Sequence, residues 1–250
     1  MGKVAPWYDA LLEGESDTYQ SKVILPNLMR VLNLSRGERV LDIGCGQGFF
    51  TRACTAAGAH ATGADISKEL IELARAHSTK DVSFYAAPSH ALPFAKDASF
   101  DTVLIVLAIQ NIEKMTETFA EAARVLAPGG RLVFVVNHPT FRVPKRSSWG
   151  YDESESVQYR RVDRYLSGEK VKIDMHPGKK GGEHTISYHR SLQDISKALR
   201  KNGFAIAGIE EWISHRSSEK GPRQKAEDTA RKEIPLFMML EAVKLKNTLK

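Results

Sequence analysis

The chain has 250 residues, of which 42% are hydrophobic and 26% charged, and its formal net charge at pH 7 is +6. These values are ordinary for a soluble globular protein, and the length suffices for one sizeable α/β domain with an appended cap. They exclude a membrane-spanning protein, since no stretch approaches the roughly 18–20 uninterrupted apolar residues that a membrane helix needs.

The cysteines and the N-terminal residues bear on the compartment. Cys45 and Cys54 form neither a disulfide framework nor the CxxC spacing of a metal site. Pro6 and Asp9 interrupt the N-terminus before a secretory hydrophobic stretch could develop. We therefore expect a cytoplasmic protein with no metal centre and no membrane partner.

Residues 38–137 alternate short apolar runs with helical patterns, which is typical of βαβ units. Strands are predicted at Arg39–Ile43, His60–Asp65, Val82–Ala86, Phe100–Val106 and Arg131–Val136. Helices are predicted at Phe49–Ala57, after the capping residue Ser67, and at Glu113–Ala127, before Pro128-Gly129-Gly130. The fourth strand is continuously apolar after Asp101, which favours a parallel strand covered on both faces.

About fifty residues after the fifth strand do not follow this alternation. Short strands are predicted at Tyr159–Leu166, Val171–Met175 and His184–Tyr188. We interpret this segment as a cap over the C-terminal edge of the sheet, where open α/β sheets bind ligands. Residues 138–190 contain eleven Lys and Arg against seven Asp and Glu. This basic segment could meet an anionic partner, although a solvated surface of mixed sign explains the charge as well.

The C-terminal part returns to the core pattern. Ser191 and Asp194 predict a capping box at the start of a helix that ends at Gly203. Two strands are predicted at Phe204–Trp212 and Leu236–Leu245. The charged stretch between them, residues 214–233, is either a surface loop or a polar helix.

A glycine-rich loop, Asp42-Ile43-Gly44-Cys45-Gly46-Gln47-Gly48, joins the first strand to the first helix. Its glycines let main-chain N–H groups approach a ligand closely. The spacing differs from the Gly-x-Gly-x-x-Gly fingerprint of dinucleotide-binding proteins, whose third glycine would fall on Phe49. A nicotinamide-dependent oxidoreductase is therefore the least favoured class. Asp42 would repel a pyrophosphate but suits a ligand that carries an ammonium and a sulfonium.

A second acid, Asp65, ends the second strand. Its carboxylate could accept hydrogen bonds from both ribose hydroxyls of an adenosine, as an acid at this place does in dinucleotide-binding folds. Alternatively, it only caps the helix that follows Ser67.

These motifs carry a family resemblance over about two-fifths of the chain. The matching stretches are residues 40–48, Ala64-Asp65-Ile66-Ser67, Leu92-Pro93-Phe94, Ser99-Phe100-Asp101-Thr102-Val103 and Arg124-Val125-Leu126-Ala127-Pro128-Gly129-Gly130. They resemble the class I S-adenosylmethionine-dependent methyltransferases, in particular the small-molecule group with a type 11 methyltransferase domain. The resemblance implies a doubly wound, Rossmann-like α/β fold: a seven-stranded, mostly parallel sheet with an antiparallel last strand, here with the cap inserted after strand five.

The resemblance also implies a domain plan and a cofactor site. Residues 1–37 would form a helical segment over the cofactor, 38–137 the cofactor-binding core, 138–190 the substrate cap, and 191–250 the completion of the sheet. The cofactor would be S-adenosylmethionine, with its methionine part at Gly44 and Gly46, its ribose at Asp65, its adenine on Ile66, and a further contact at Val106. The remaining candidates for this site are Asp42, Cys45, Gly48 and Tyr19.

One position departs from the family pattern. Members usually place an Asp before the Leu-Pro-Phe run, where it binds the adenine amino group, but this chain has Pro88 there. Pro88 offers neither a carboxylate nor an N–H, so Ser89 is the candidate to replace it.

Substrate-site candidates occur where the cap joins the sheet. His138 and His189 are candidate general bases, because histidine titrates near neutral pH. The candidates for substrate contact are Phe141, Arg142, Trp149 and Arg190, which combine flat aromatic surfaces with guanidinium groups for an anion. A loop histidine is more often a hydrogen-bonded structural residue, so that alternative stays open for both bases.

The leading hypothesis is methyl transfer to a small-molecule acceptor that is anionic or aromatic. One alternative is an RNA or protein methyltransferase that uses the basic cap, although no RNA-binding motif supports nucleic acid as a partner. Another is a non-catalytic protein that binds S-adenosylmethionine, which Pro88 motivates. The sequence gives no indication of the oligomeric state.

Overall fold

The computed structural model describes residues 17–174 and 184–246. Residues 1–16 of the predicted N-terminal segment lie outside the described residues, as does Met175 at the end of one predicted strand.

The centre of the fold is a seven-stranded sheet. Its strands are β1 (Arg39–Ile43), β2 (His60–Asp65), β3 (Ser83–Ala86), β4 (Phe100–Val106), β5 (Leu126–Asn137), β10 (Phe204–Trp212) and β11 (Phe237–Lys244). They lie in the order β10-β11-β5-β4-β1-β2-β3, and β11 is antiparallel to both of its neighbours. The strands β1 to β5 pair in parallel. The predicted fold class is therefore confirmed.

Helices cover the sheet. They are α1 (Leu25–Leu32), α2 (Phe49–Ala56), α3 (Lys68–Ala76), α4 (Met115–Val125), α5 (Leu192–Lys201) and α6 (Gln224–Glu233), with a π-helical turn at Gln20–Ile24 and a 3-10 turn at Ile109–Asn111. The predicted caps are present. The Ser67 hydroxyl accepts from the Leu70 N–H, and Ser191 and Asp194 form the capping box of α5. The charged stretch before β11 contains the polar helix α6.

The central strand β4 shows why the sheet is covered on both faces. Val103 and Ile105 belong to a core cluster packed under α4 and α5, whereas Leu104 and Val106 belong to a second cluster packed under α1 and α2. Successive side chains of a strand point to opposite faces, so a continuous apolar run buries both.

Four strands form two small hairpins between β5 and α5. They are β6 (Ser147–Asp152), β7 (Val157–Val162), β8 (Glu169–Asp174) and β9 (His184–His189). Strand β6 was not predicted, because polar residues flank the short Trp149-Gly150-Tyr151 run on both sides. Strand β7 was predicted too late, because the chain turns at Arg164, which has a left-handed φ of 56°.

Strand β5 starts earlier than predicted. It begins at Leu126 rather than Arg131, because Leu126 already pairs with Phe100 of β4. The Pro128-Gly129-Gly130 stretch only shifts the pairing register between the two strands. Within the described residues, no helix is long and apolar enough to cross a membrane.

Candidate functional site: a pocket at the carboxyl ends of the parallel strands

The glycine loop after β1 adopts a conformation that its glycines require. Gly44, Gly46 and Gly48 have φ values of 74°, 56° and 86°, in the left-handed region that side chains disfavour. A Cβ on Gly44 would lie 2.5 Å from the Cβ of Ala108 at the end of β4. The loop can therefore approach β4 only because Gly44 has no side chain.

A large pocket opens above this loop, and we call it the main pocket. Its volume is about 560 Å³, which is in the range of small-molecule and cofactor sites. Most of the residues that line it come from the ends of β1 to β5 and from the turns that follow them: Gly44, Gly46, Asp65, Ile66, Ser89, Val106, Gln110, Asn111 and Asn137. Gln20 of the π-helical turn and Thr185 of β9 complete the lining. Six of the ten predicted cofactor contacts thus meet in one place.

Asp65 is the acid of this pocket. Its Oδ2 accepts from the Gly46 N–H at 3.0 Å and its Oδ1 accepts from the Ser67 N–H at 2.9 Å. Burial raises the pKa of this carboxyl above its ordinary value, and the hydrogen bonds from the backbone oppose the rise. Asp65 therefore connects the glycine loop to the start of α3 and also lines the main pocket. Capping the helix and binding a ribose are compatible roles for this carboxyl.

Ile66, beside Asp65, gives the pocket an apolar wall. Its side chain is 68% exposed, which is unusual for a large aliphatic residue next to the core. An acid able to accept from a diol beside an apolar surface able to cover a flat base fits the ribose and adenine of an adenosine. The main pocket therefore fits the cofactor that the glycine loop and Asp65 imply.

Ser89, the candidate to replace the Asp that is missing at Pro88, lines the main pocket. Its hydroxyl lies 2.8 Å from the Thr118 Oγ1, and Thr118 donates its own proton to the carbonyl of Lys114 at 2.8 Å. Ser89 is therefore the donor to Thr118, and its two lone pairs can still accept. An acceptor at this wall of the main pocket suits the amino group of an adenine.

Four predicted cofactor residues do not line the main pocket. Cys45 is buried against Phe84 beneath the loop, and a Cβ on Gly48 would lie 2.9 Å from the same ring. Tyr19 packs edge-on against Phe237, while its neighbour Gln20 lines the pocket instead. These residues shape or support the site rather than form its surface.

Asp42, the fourth of them, lies behind the loop. It is 1% exposed, and its Oδ2 accepts from the Thr51 hydroxyl of α2 at 2.7 Å. Burial raises the pKa of the Asp42 carboxyl to about 7. Since this carboxyl is buried, bonded to Thr51 and absent from the lining of the main pocket, its position does not support a direct contact with a ligand ammonium.

The candidate base His138 lies outside the main pocket and has both ring nitrogens engaged. Nε2 donates to Glu211 at 2.6 Å, and Nδ1 accepts from the N–H groups of Thr140 and Phe141 at 3.3 and 3.4 Å. The ring is 3% exposed, and burial lowers its pKa. This arrangement favours the structural alternative, in which His138 fixes the turn that leaves β5.

The candidates at the end of β9 are also held by the backbone. His189 is buried, and its Nε2 donates to the carbonyl of Tyr165 at 2.7 Å. Arg190 donates to three carbonyl oxygens, those of Ile109, Ile112 and Glu113, at 3.1, 2.6 and 2.8 Å. Arg190 therefore fastens the cap to the segment after β4, and a substrate would have to compete with these bonds.

Of the remaining candidates, Arg142 lines a second, narrower space, whereas Phe141 and Trp149 lie outside it. Phe141 packs against the His138 ring, with centroids 4.8 Å apart. Arg142 reaches toward Gln110 and Asn137, and its guanidinium carbon lies 5.5 Å from the centre of the Trp149 ring. Sequence reasoning missed Gln110 and Asn137 as site residues, because an amide after a strand is a common turn residue and carries no signal of its own.

Comparisons with known proteins agree with this geometry. A family model described as a methyltransferase domain matches residues 41–134. Demethylmenaquinone methyltransferase of Tropheryma whipplei is 38% identical over 112 residues, which are 44% of this chain and 46% of that protein. Malonyl-acyl-carrier-protein O-methyltransferase of Erwinia billingiae is 40% identical over 99 residues, which are 40% of this chain and 39% of that protein. The matches thus span less than half the length of these curated relatives.

A solved structure extends the likeness to nearly the whole fold. It is an S-adenosylmethionine-dependent methyltransferase from Mesorhizobium loti, 30% identical, with a TM-score of 0.69, covering 87% of this chain and 96% of that one. On the glycine loop, the acid at the end of β2 and this extended match, the chain belongs to the S-adenosylmethionine-dependent methyltransferases, with S-adenosylmethionine as its cofactor.

Proposed function

We propose that this protein transfers a methyl group from S-adenosylmethionine to a small-molecule acceptor that carries an anionic or aromatic group. The observation that carries the proposal is the continuity of the main pocket. It runs from Asp65 and Ile66 at one end, past Gly44 and Val106, to a polar wall at Gln110 and Asn137. A donor bound at the first end would direct its reactive part toward the second.

S-adenosylmethionine, when bound, supplies a methyl group on a sulfonium, which is already a good leaving group. The protein's own contribution is therefore mainly to bind, orient and exclude water, and correct alignment alone can supply roughly 7–11 kcal/mol of a barrier. Asp65 orients the donor through its ribose, while the glycine loop gives the backbone room to lie against it. A general base is needed only where the acceptor must lose a proton.

The size of the site supports a small acceptor. Thr185 of the hairpin β8–β9 lines the main pocket beside Asn111, whose side-chain amide donates to the Thr185 hydroxyl at 2.9 Å. A strand at this position limits the size of the molecule that can reach the donor. The relatives named above act on demethylmenaquinone and on malonyl-acyl-carrier-protein, and these names favour acceptors with small reactive groups.

The test has two stages. Calorimetry should show binding of S-adenosylhomocysteine, and radiolabelled S-adenosylmethionine should then give methyl transfer to members of a panel of small phenols, carboxylates and amines. No binding of S-adenosylhomocysteine would overturn the proposal. Tight binding with no transfer to any acceptor would favour a non-catalytic protein. Affinity for bulk RNA that falls steeply with salt, together with RNA methylation, would favour the macromolecular alternative.

A further inference from the structure

A narrow cavity lies beside the main pocket, and we call it the side cavity. Gln110 and Asn137 are walls of both spaces, and Arg142 lines only the side cavity. The volume of the side cavity is about 40 Å³. Since one water needs about 10–15 Å³ by this measure, the space would hold about three waters, or one group the size of a carboxylate.

Arg142 brings an unsatisfied guanidinium to this cavity. Its Nε is buried without a hydrogen-bond partner, and its guanidinium forms no hydrogen bond or ion pair with any residue in 17–174 or 184–246. Burial, and the positive charges of Arg160 and Arg231, lower the pKa of Arg142 to about 10. Arg142 is partly buried, and a buried donor such as its Nε is costly to leave without an acceptor, so an anion that supplied one would be favoured.

The surroundings of Arg142 add positive charge rather than compensate it. Arg160 donates to the carbonyl of Phe141 and to the Ser147 hydroxyl, at 2.8 Å each, and both acceptors are neutral. The guanidinium carbons of Arg142 and Arg160 lie 5.5 and 5.1 Å from the centre of the Trp149 ring, which holds both groups in place. A planar guanidinium with free parallel donors matches the geometry of a carboxylate.

Gln110 supplies the complementary acceptor. Its amide nitrogen donates to the carbonyl of Leu107 at 2.9 Å, which fixes the orientation of the side chain. The other amide atom, Oε1, is buried and has no partner among the described residues. A ligand that bound here would therefore be favoured if it presented an N–H or O–H to Gln110, at the boundary between the side cavity and the main pocket.

We propose that the methyl acceptor is a small hydroxy- or amino-carboxylate. Its carboxylate binds Arg142 in the side cavity, and its hydroxyl or amine donates to the Oε1 of Gln110 and faces the main pocket. In the transfer, a lone pair of that oxygen or nitrogen takes the methyl group as the methyl–sulfur bond breaks. S-adenosylhomocysteine leaves with the bonding electron pair, and the proton of the acceptor passes to water. This inference rests on the proposed function and narrows it to one class of acceptor. Arg142 and Gln110 act as specificity-determining residues, since each leaves a buried polar atom unpaired when the matching ligand group is absent.

The experiment is calorimetry on the full chain saturated with S-adenosylhomocysteine. The probes are the hydroxybenzoates, the aminobenzoates and short aliphatic hydroxy acids, each compared with its methyl ester and with the parent acid that lacks the hydroxyl or amine. We expect at least one acid to bind about 10- to 100-fold more tightly than its ester, on the scale of charge-assisted hydrogen bonds. Arg142→Gln should reduce the affinity for the acid to that of the ester, and Gln110→Leu should abolish the preference over the parent acid.

The controls separate this inference from the function on which it rests. Arg161→Gln changes an exposed arginine of the neighbouring hairpin β6–β7, paired with Asp163, and should leave every affinity unchanged. Arg142→Lys should give an intermediate loss, and it tests the charge if the glutamine variant does not fold. S-adenosylhomocysteine binding with no acid preferred over its ester, or a preference that survives Arg142→Gln, would overturn this inference alone. Absence of S-adenosylhomocysteine binding would overturn the proposed function with it.

Discussion

Replacing Asp65 with alanine should weaken cofactor binding measurably. The carboxylate has about four lone pairs, two on each oxygen. The N–H groups of Gly46 and Ser67 occupy one on each oxygen, at 3.0 and 2.9 Å. The Ile66 N–H adds a weaker backbone contact, and the remaining acceptor capacity of the two oxygens is available in the main pocket to the hydroxyls of a ribose.

The size of the effect follows from this count. A hydrogen bond to a charged group contributes about 1.5–3 kcal/mol, and water replaces part of what is lost. For the two bonds together we expect a loss of about 2–4 kcal/mol, which is about 30- to 900-fold in Kd. Calorimetry with S-adenosylhomocysteine measures this loss directly, and Asp81→Ala, at an exposed acid, is the matched control.

Asp65→Ala also leaves the N–H groups of Gly46 and Ser67 without their acceptor, so a disturbed loop could imitate a lost ribose contact. The 2′-deoxy analogue of S-adenosylhomocysteine separates the two effects in a double-mutant cycle. If Asp65 holds the diol, the substitution should cost about half as much with this analogue, since one bond is already missing. An equal cost with both ligands, or a loss below about 0.5 kcal/mol with the natural one, would refute the assignment.

Three further predictions concern other parts of the site. Burial raises the pKa of Asp42 to about 7, so the neutral form of this carboxyl contributes fully to the free energy of unfolding below about pH 4. This contribution should be lost as the pH rises through 7. Urea denaturation should therefore show Asp42→Asn gaining stability relative to the parent between about pH 4 and pH 7, and a constant difference over this range would contradict the prediction. Gly44→Ala and Gly203→Ala both place a side chain at a positive φ, 74° and 76°, but only the first meets another atom within 4 Å. Gly203→Ala should cost about 1–2 kcal/mol, whereas Gly44→Ala should cost more and also abolish S-adenosylhomocysteine binding; equal costs would argue against the close approach of the loop to β4. Arg190→Lys cannot reach three carbonyl oxygens and should cost about 1–3 kcal/mol of unfolding free energy, against no measurable change for the exposed Arg200→Lys.

The sheet could be predicted from the sequence because its signals are local. The strands β1, β2, β4 and β10 begin and end at the predicted residues. Each is a short apolar run bounded by a cap, a glycine or a charged residue, and such boundaries depend on neighbours in the sequence. The hairpins of the cap were predicted less well, since β6 and β7 are half exposed and pair mainly with each other.

The site could be predicted only where a residue's role follows from its position on a strand. Asp65, Gly44 and Gly46 are such residues, and all three line the main pocket. The role of Arg142 in the side cavity depends on the absence of a partner, and that of Gln110 on the direction of its amide. Neither property can be inferred from the neighbouring residues in the sequence, because both are set by contacts between distant segments.

The two acids around the glycine loop show how position decides charge. Asp42 lies within β1, beneath α2, and burial there favours its neutral form, whereas Asp65 ends β2 and opens on the main pocket. In the proposed arrangement the site is polarised, with the Asp65 carboxyl at the donor end and the Arg142 guanidinium at the acceptor end. Donor and acceptor affinities are then set at opposite ends by groups that share no partner. Substitutions at Asp65 and Arg142 should for that reason act independently, each on one ligand, and their effects on the free energies of binding should add.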